Sequence, residues 1–251
     1  MDDHKEYEIS MEPIPRELEE ISRKEIAYST FPNIKSANEI LMHWDTYSNR
    51  ILRAPDGRVL VTCHTNMHDV DAKMIEWWFG WHINASSRYR LWHPKAHLKA
   101  EVKDDRSHYK SDRDKYIDNI SYVDEYIGGK TMRLAIAFID PADVGLEIDY
   151  RLGETAICAH TSDRVLKGDA GSLIHMIVPT VGGCEMRSIF WLGELNLKWP
   201  IIGRILKPII NTTLIRKFFV NDKLATDLFR HCAEEMSHLA RFLPKLCNDK
   251  R

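Results

Sequence analysis

At 251 residues the chain is long enough to bury a substantial core, either as one large domain or as a domain behind an N-terminal extension. Its 35 Lys+Arg against 37 Asp+Glu leave a formal charge of -2, which offers no bulk attraction for nucleic acid or an anionic membrane. Five widely spaced cysteines (Cys63, Cys158, Cys184, Cys232 and Cys247) without a C-x-x-C exclude a zinc-finger spacing and fit reduced thiols better than a disulfide framework.

The first ten residues, M-D-D-H-K-E-Y-E-I-S, lack the apolar run of a signal peptide, and no run reaches the ~18 apolar residues of a membrane span. The expectation is a soluble cytoplasmic protein without a nucleic-acid or membrane partner, whose small-molecule partner has to be read from its sites. Residues 1–50 are charge-rich and punctuated by Pro13, Pro15 and Pro32, with a helix expected over Arg16 to Glu25; they read as an extension or small subdomain, a candidate dimerisation element of a homodimer. The main domain, residues 51–251, opens on I-L-R-A-P-D-G-R-V-L-V-T-C, a Pro-Asp-Gly turn feeding a β-branched strand.

His64, His68, Asp69 and Asp71 form one cluster of metal-type ligands. Asp69 or Asp71 is better explained as the cap of a following helix with Val70, Met74, Trp77, Trp78 and Trp81 on its inner face. The aromatics then run into Trp92-His93-Pro94-Lys95-Ala96-His97, where proline forbids a regular helix and fixes two histidines on a turn, so an aromatic-walled pocket rimmed by imidazoles is expected. Asp104 to Asp118 is polar and reads as an exposed loop. From Tyr122 the pattern turns to short β-branched runs, Y-V-D-E-Y-I-G-G, M-R-L-A-I-A-F-I-D-P, V-G-L-E-I-D-Y-R and E-T-A-I-C-A-H-T, whose short turns predict an antiparallel sheet. Strand alternation points either Asp124 or Glu125 inward. His175 sits inside an apolar strand, and Cys184 to Gly193 is a further strand. Lys198 to Asn211 is apolar but broken by Pro200, Gly203 and Pro208, and reads as a pocket lid or entrance.

The last helix, expected over Asp222 to Leu246, carries Leu224, Leu228, His231, Glu235, Leu239 and Phe242 at spacings of three and four. An ionised carboxylate on a core-facing stripe is costly unless it is paired or ligates a metal, so His231 and Glu235, one turn apart, read as half of a metal site.

The segments E-W-W-F-G-W-H, R-Y-R-L-W-H-P-K-A-H, D-E-Y-I-G-G and H-C-A-E-E together resemble the 2,4-diacetylphloroglucinol hydrolase and phloretin hydrolase family over most of Val61 to Leu246. The resemblance implies an α+β, Bet v 1-like (START-like) fold, a curved antiparallel sheet around a long C-terminal helix. It implies a zinc ion held by His97, Glu125, His231 and Glu235, with His93 as the alternative to His97. It also places the phenol-contacting tyrosine on Tyr89 and a strand histidine on His175. A second family tyrosine falls near Phe190, which cannot donate that hydrogen bond.

The implied activity is hydrolysis of the carbon–carbon bond between a phloroglucinol-type ring and its acyl group. In its keto tautomer the ring and acyl carbonyls form a β-diketone, so the ring carbon departs as an enolate. The expected apparatus is zinc at the acyl oxygen, a water deprotonated with help from a ligand glutamate, and Tyr89 and His175 at the ring oxygens, with Glu125 counted among the catalytic groups. The rival readings are a START-like carrier of an aromatic ligand and a zinc hydrolase of another β-diketone or an ester.

Overall fold

The computed structural model describes residues 4–165, 167–197, 199 and 201–251. The alternating runs form β1 (Ala27–Tyr28), β2 (Arg50–Arg53), β3 (Val59–His68), β4 (His97–Val102), β5 (Ile120–Ile127), β6 (Lys130–Ile139), β7 (Thr155–Asp163), β8 (Gly168–Thr180) and β9 (Gly183–Leu197). They lie in one sheet of order β1-β2-β3-β9-β8-β7-β6-β5-β4, antiparallel at every junction except β1–β2. The helices are α1 (Arg16–Ile21), α2 (Ala37–Met42), α3 (Trp44–Tyr47), α4 (Ala72–His82), α5 (Ser86–Trp92), α6 (Asp112–Tyr116), α7 (Ile202–Ile210), α8 (Thr213–Phe219) and α9 (Asp222–Lys250).

Helix α9 packs against both β3 and β5, although β9, β8, β7 and β6 lie between them in the sheet. In a flat sheet those two strands would stand about 24 Å apart, so the sheet must curl around the helix. This is the α+β arrangement expected from the sequence, a curved antiparallel sheet around a long C-terminal helix. The buried seam of α9 is Ala225, Phe229, Cys232, Met236, Leu239, Leu243 and Leu246, a 3-4 repeat of fully buried side chains. His231 and Glu235 therefore flank that seam and face a cavity between helix and sheet, alongside Leu224 and Leu228.

Glycine fixes the approach of β5 to α9. Gly128 and Gly129, at φ 58° and 80°, make the two-residue turn between β5 and β6. A Cβ built on Gly128 would overlap the Asp227 carboxylate of α9, so only glycine lets this hairpin rest on the helix one turn before His231.

Several expectations need correction. Val144 to Arg151 is not a strand: the Asp140 carboxylate caps a 3-10 turn at Pro141–Val144, Gly145 takes the left-handed conformation, and Asp149 caps a second turn. Side-chain capping thus outcompetes the β-propensity of this run, and Val144 and Leu146 are buried against Ala37 and Ile40 instead. Within Asp104 to Asp118, Ser111 caps α6 and Tyr116 is buried beside Phe79 and Phe138, which propensity alone does not reveal. His64 and His68 belong to β3, not to the approach to a helix, and Asp71 is the cap of α4, accepting from the Met74 N–H at 2.8 Å. The final helix continues past Leu246 to Lys250. Of the apolar segment 198–211, α7 is described, while Lys198 and Pro200 lie outside the described residues.

The N-terminal residues lie on their own chain: the Tyr7 hydroxyl donates to Asp249 at 3.1 Å, Arg241 reaches Glu12 at 2.8 Å, and Tyr7, Ile14 and Leu18 join the main core. All five cysteines are free and buried, and among the described residues no helix is long and apolar enough to cross a membrane.

Two core histidines carry a consequence for stability. Burial pushes His82 and His175 down to about 3, although the His82 ring also bonds the Trp78 carbonyl at 2.7 Å. The unfolded chain takes up these protons near pH 6.5 and the folded chain does not. Stability is therefore full above about pH 6.5 and falls as the pH drops towards 3, by on the order of 4 kcal/mol per histidine at the acid end. Urea midpoints at pH 7 and pH 5 should show the loss, and His175→Gln should make it shallower; a pH-independent midpoint would contradict the assignment.

Candidate metal centre and cavity

Three elements converge on one point. His97 opens β4 immediately after the proline turn, and its cross-strand partner in β5 is Glu125. His231 and Glu235 come from α9 at i, i+4 spacing. The nitrogens of His97 and His231 and a Glu235 oxygen all lie within 4.8 Å of one another, and all three residues are buried. His97 Nε2 is 3.4 Å from Glu235 and 3.7 Å from Glu125, and His231 Nε2 is 3.6 Å from Glu235.

The electrostatics ask for a cation. His97 Nδ1–H donates to the Tyr89 carbonyl at 3.0 Å, which fixes the tautomer and leaves Nε2 a bare lone pair. That Nε2 is buried without a hydrogen-bond partner. Burial holds His97 and His231 at about 4, so both are neutral near pH 7, the form that ligates metal. Burial, with repulsion from Glu125 added, raises Glu235 to about 7 against the opposing pull of His231. Neutral imidazoles cannot compensate two buried carboxylates, and a divalent cation can. The donor set, nitrogen from two imidazoles and oxygen from carboxylate, fits a first-row divalent ion.

The other expected residues are distributed as follows. Glu125, not Asp124, points inward; Asp124 faces out and pairs with Arg164 at 3.1 Å. Glu125 accepts a hydrogen bond from the Tyr89 hydroxyl, and the Tyr89 ring stacks on His97 with centroids 3.8 Å apart. Burial, reinforced by Glu125, raises Tyr89 well above the usual phenol range, so it remains a donor. His93 does not join the trio: its Nε2 bonds Glu234 at 3.2 Å while its ring lies parallel to His231, centroids 5.0 Å apart. His64 is paired elsewhere, with Glu185 at 3.0 Å.

The centre stands at a cavity of about 520 Å3, a volume suited to a small organic ligand. Its walls are chiefly apolar, including Phe79, Phe138, Phe190 and Leu228, while Tyr89 and His175 add polar atoms. His175 Nδ1 bonds the Ser188 hydroxyl at 2.8 Å, across the β8–β9 register that pairs these two residues. Phe190 meets the His175 ring edge to face at 5.6 Å. Ser188, Phe79 and Phe138 have no feature in the sequence that marks them, because a cross-strand partner and a cavity wall exist only once the register is set.

The family model described as the DAPG hydrolase PhiG domain matches residues 31–248. The chain belongs to that family. Among relatives, a 2,4-diacetylphloroglucinol hydrolase of Pseudomonas sp is 30% identical over 192 residues, 70% of this chain and 62% of that protein. Phloretin hydrolase of Eubacterium ramulus is 29% identical over 207 residues, 79% of this chain and 70% of that one. The match thus spans less than two thirds of the Pseudomonas protein's length. Among solved structures, norcoclaurine synthase from Thalictrum flavum aligns at 15% identity and TM-score 0.40, covering 78% of this chain and 90% of the synthase. A ginseng major latex-like protein from Panax ginseng aligns at 12% and 0.37, covering 65% and 99%.

Proposed function

We propose that this protein is a zinc-dependent hydrolase that cleaves the carbon–carbon bond between a phloroglucinol-type ring and its acyl group, giving the ring compound and a carboxylic acid. The observation that carries the reading is the convergence of His97, His231, Glu235 and Glu125, buried, beside an aromatic-lined cavity that Glu125, His231 and Glu235 help to line, in a DAPG hydrolase family member. A carrier of an aromatic ligand has no use for two carboxylates brought together at that cost.

His97, His231 and Glu235 would hold the metal, with Glu125 as the fourth ligand. Zinc, when bound, supplies Lewis acidity for the acyl carbonyl and for the attacking water. The chain supplies the rest. In this reading Glu125 takes a proton from the water as its oxygen bonds to the acyl carbon. The bond to the ring carbon, which already carries its hydrogen in the keto tautomer, then breaks. Its electron pair passes to the ring oxygen as the enolate, and the proton taken from the water returns to that oxygen to give the phenol. The hydroxyl of Tyr89 donates to Glu125 before substrate arrives and reaches a ring oxygen by exchanging that partner. His175, neutral and oriented by Ser188, faces the cavity as a second polar contact for the ring. Phe190 beside it offers only an apolar edge, which favours shape over hydrogen bonding at that wall.

Incubation of the purified protein with acetyl- and arylpropanoyl-phloroglucinols tests the reading. The expected result is stoichiometric release of deacylated ring and carboxylic acid, suppressed by chelator and restored by zinc. Binding of either compound without bond cleavage in zinc-loaded protein would instead favour a carrier.

A further inference from the structure

The segment beyond β9 carries chemistry the hydrolytic site does not use. Between Glu194 and Asp222 the sequence has no acidic residue but includes Lys198, Arg204, Lys207, Arg216 and Lys217. The formal charge of -2 for the whole chain averages this local cluster away.

In the structure the same segment turns apolar side chains outward. On α7 and the residue before it, Ile201, Ile205 and Ile209 recur every four residues and are 75%, 64% and 54% exposed. On α8, Leu214 and Phe218 repeat the spacing at 80% and 77%. The rest of the pair is anchored: Gly203 approaches the Leu197 carbonyl so closely that a Cβ would overlap it, and Arg216 bonds the carbonyls of Gly193 and Asp56. Arg204, Lys207 and Lys217 are exposed on the same two helices. The opposite side of the pair reaches the cavity, which Trp199, Ile210 and Phe219 help to line.

An exposed row of Ile, Leu and Phe would be a liability in water unless something covers it. Its interleaved cations and lack of carboxylates select the cover: apolar residues that sink to the headgroup boundary, ringed by Lys and Arg that meet negative lipid, are the pattern of an interfacial amphipathic helix. We propose that α7 and α8 dock this protein on an anionic bilayer surface, with the wall of the cavity next to the lipid. An apolar occupant could then pass between bilayer and cavity without crossing bulk water. The docking is peripheral and requires no spanning helix.

Flotation of the intact protein with lipid vesicles tests this. It should partition onto phosphatidylcholine vesicles containing phosphatidylglycerol, at least about tenfold more weakly onto pure phosphatidylcholine, and be released by high salt. Leu214→Asp/Phe218→Asp removes the apolar contact and Arg204→Glu/Lys207→Glu reverses the charge; each should abolish flotation while leaving the melting temperature within the wild-type range. If one of these variants does not fold, the other carries the test. Failure to bind either vesicle, equal binding to neutral lipid, or binding that survives a folded variant of either kind would overturn the proposal. So would a dimer in lipid-free solution that Leu214→Asp/Phe218→Asp dissociates, because a second copy would then be what covers the face.

Discussion

Glu235→Ala and His231→Ala should each strip zinc from the purified protein and abolish turnover. Each removes one of the three atoms that lie within 4.8 Å of one another, and a zinc site that has lost one of its ligands binds at least about a hundredfold more weakly. Metal content after dialysis is the direct measurement. The two variants should differ from ordinary core damage in a specific way. Glu235 is held near 7 by burial and by Glu125, so in the metal-free protein its removal relieves a costly group, and thermal stability should stay level or rise. His64→Ala and His68→Ala serve as controls: His64 is paired with Glu185, His68 is exposed on β3, and neither variant should alter metal content. Full zinc occupancy in Glu235→Ala, or its loss in His64→Ala, would place the site elsewhere.

The second large effect concerns groups that touch the cavity without belonging to the trio. Tyr89→Phe and His175→Ala should keep near-normal zinc and lose roughly a hundred- to a thousandfold in rate, about 2.7–4 kcal/mol of barrier, the usual cost of one preorganised donor. If the contacts tighten as charge moves onto the ring, the loss falls on kcat; if they only hold the ground state, it falls on KM. Zinc loss in His175→Ala would make that residue a ligand, and native kcat/KM in both variants would remove ring contact from the mechanism.

Much of this was legible in the chain itself, because local chemistry leaves local marks. The i, i+4 placement of His231 and Glu235 on α9, the proline turn that presents His97, the Asp71 cap and the Gly128-Gly129 hairpin each follow from the dihedral and hydrogen-bonding demands of a few adjacent residues. Where a local rule competed with another, pattern was insufficient: Val144 to Arg151 has the composition of a strand, yet the Asp140 and Asp149 side chains hold its backbone in turns. Register is the sharper case. Alternation left Asp124 and Glu125 equivalent, since a slip of one residue exchanges the two faces of a strand, and only the pairing of Glu125 with His97 turns that carboxylate inward. His175 meeting Ser188 depends in the same way on β8–β9 register.

The sequence by itself determined most of the element types, the helix that carries His231 and Glu235, and the family resemblance, all of which rest on spacing within short stretches. Only the tertiary structure decided that the seam of α9 is Phe229, Cys232 and Met236, and that His231 and Glu235 stand beside it facing a cavity. It also brings His97, not His93, within reach of His231 and Glu235, and pairs His93 with Glu234. The physical reason is common to these cases. Helical periodicity states which residues share a face, but which face meets packed core and which meets open space is set by how far the sheet curls around the helix, a property of strands distant in the chain.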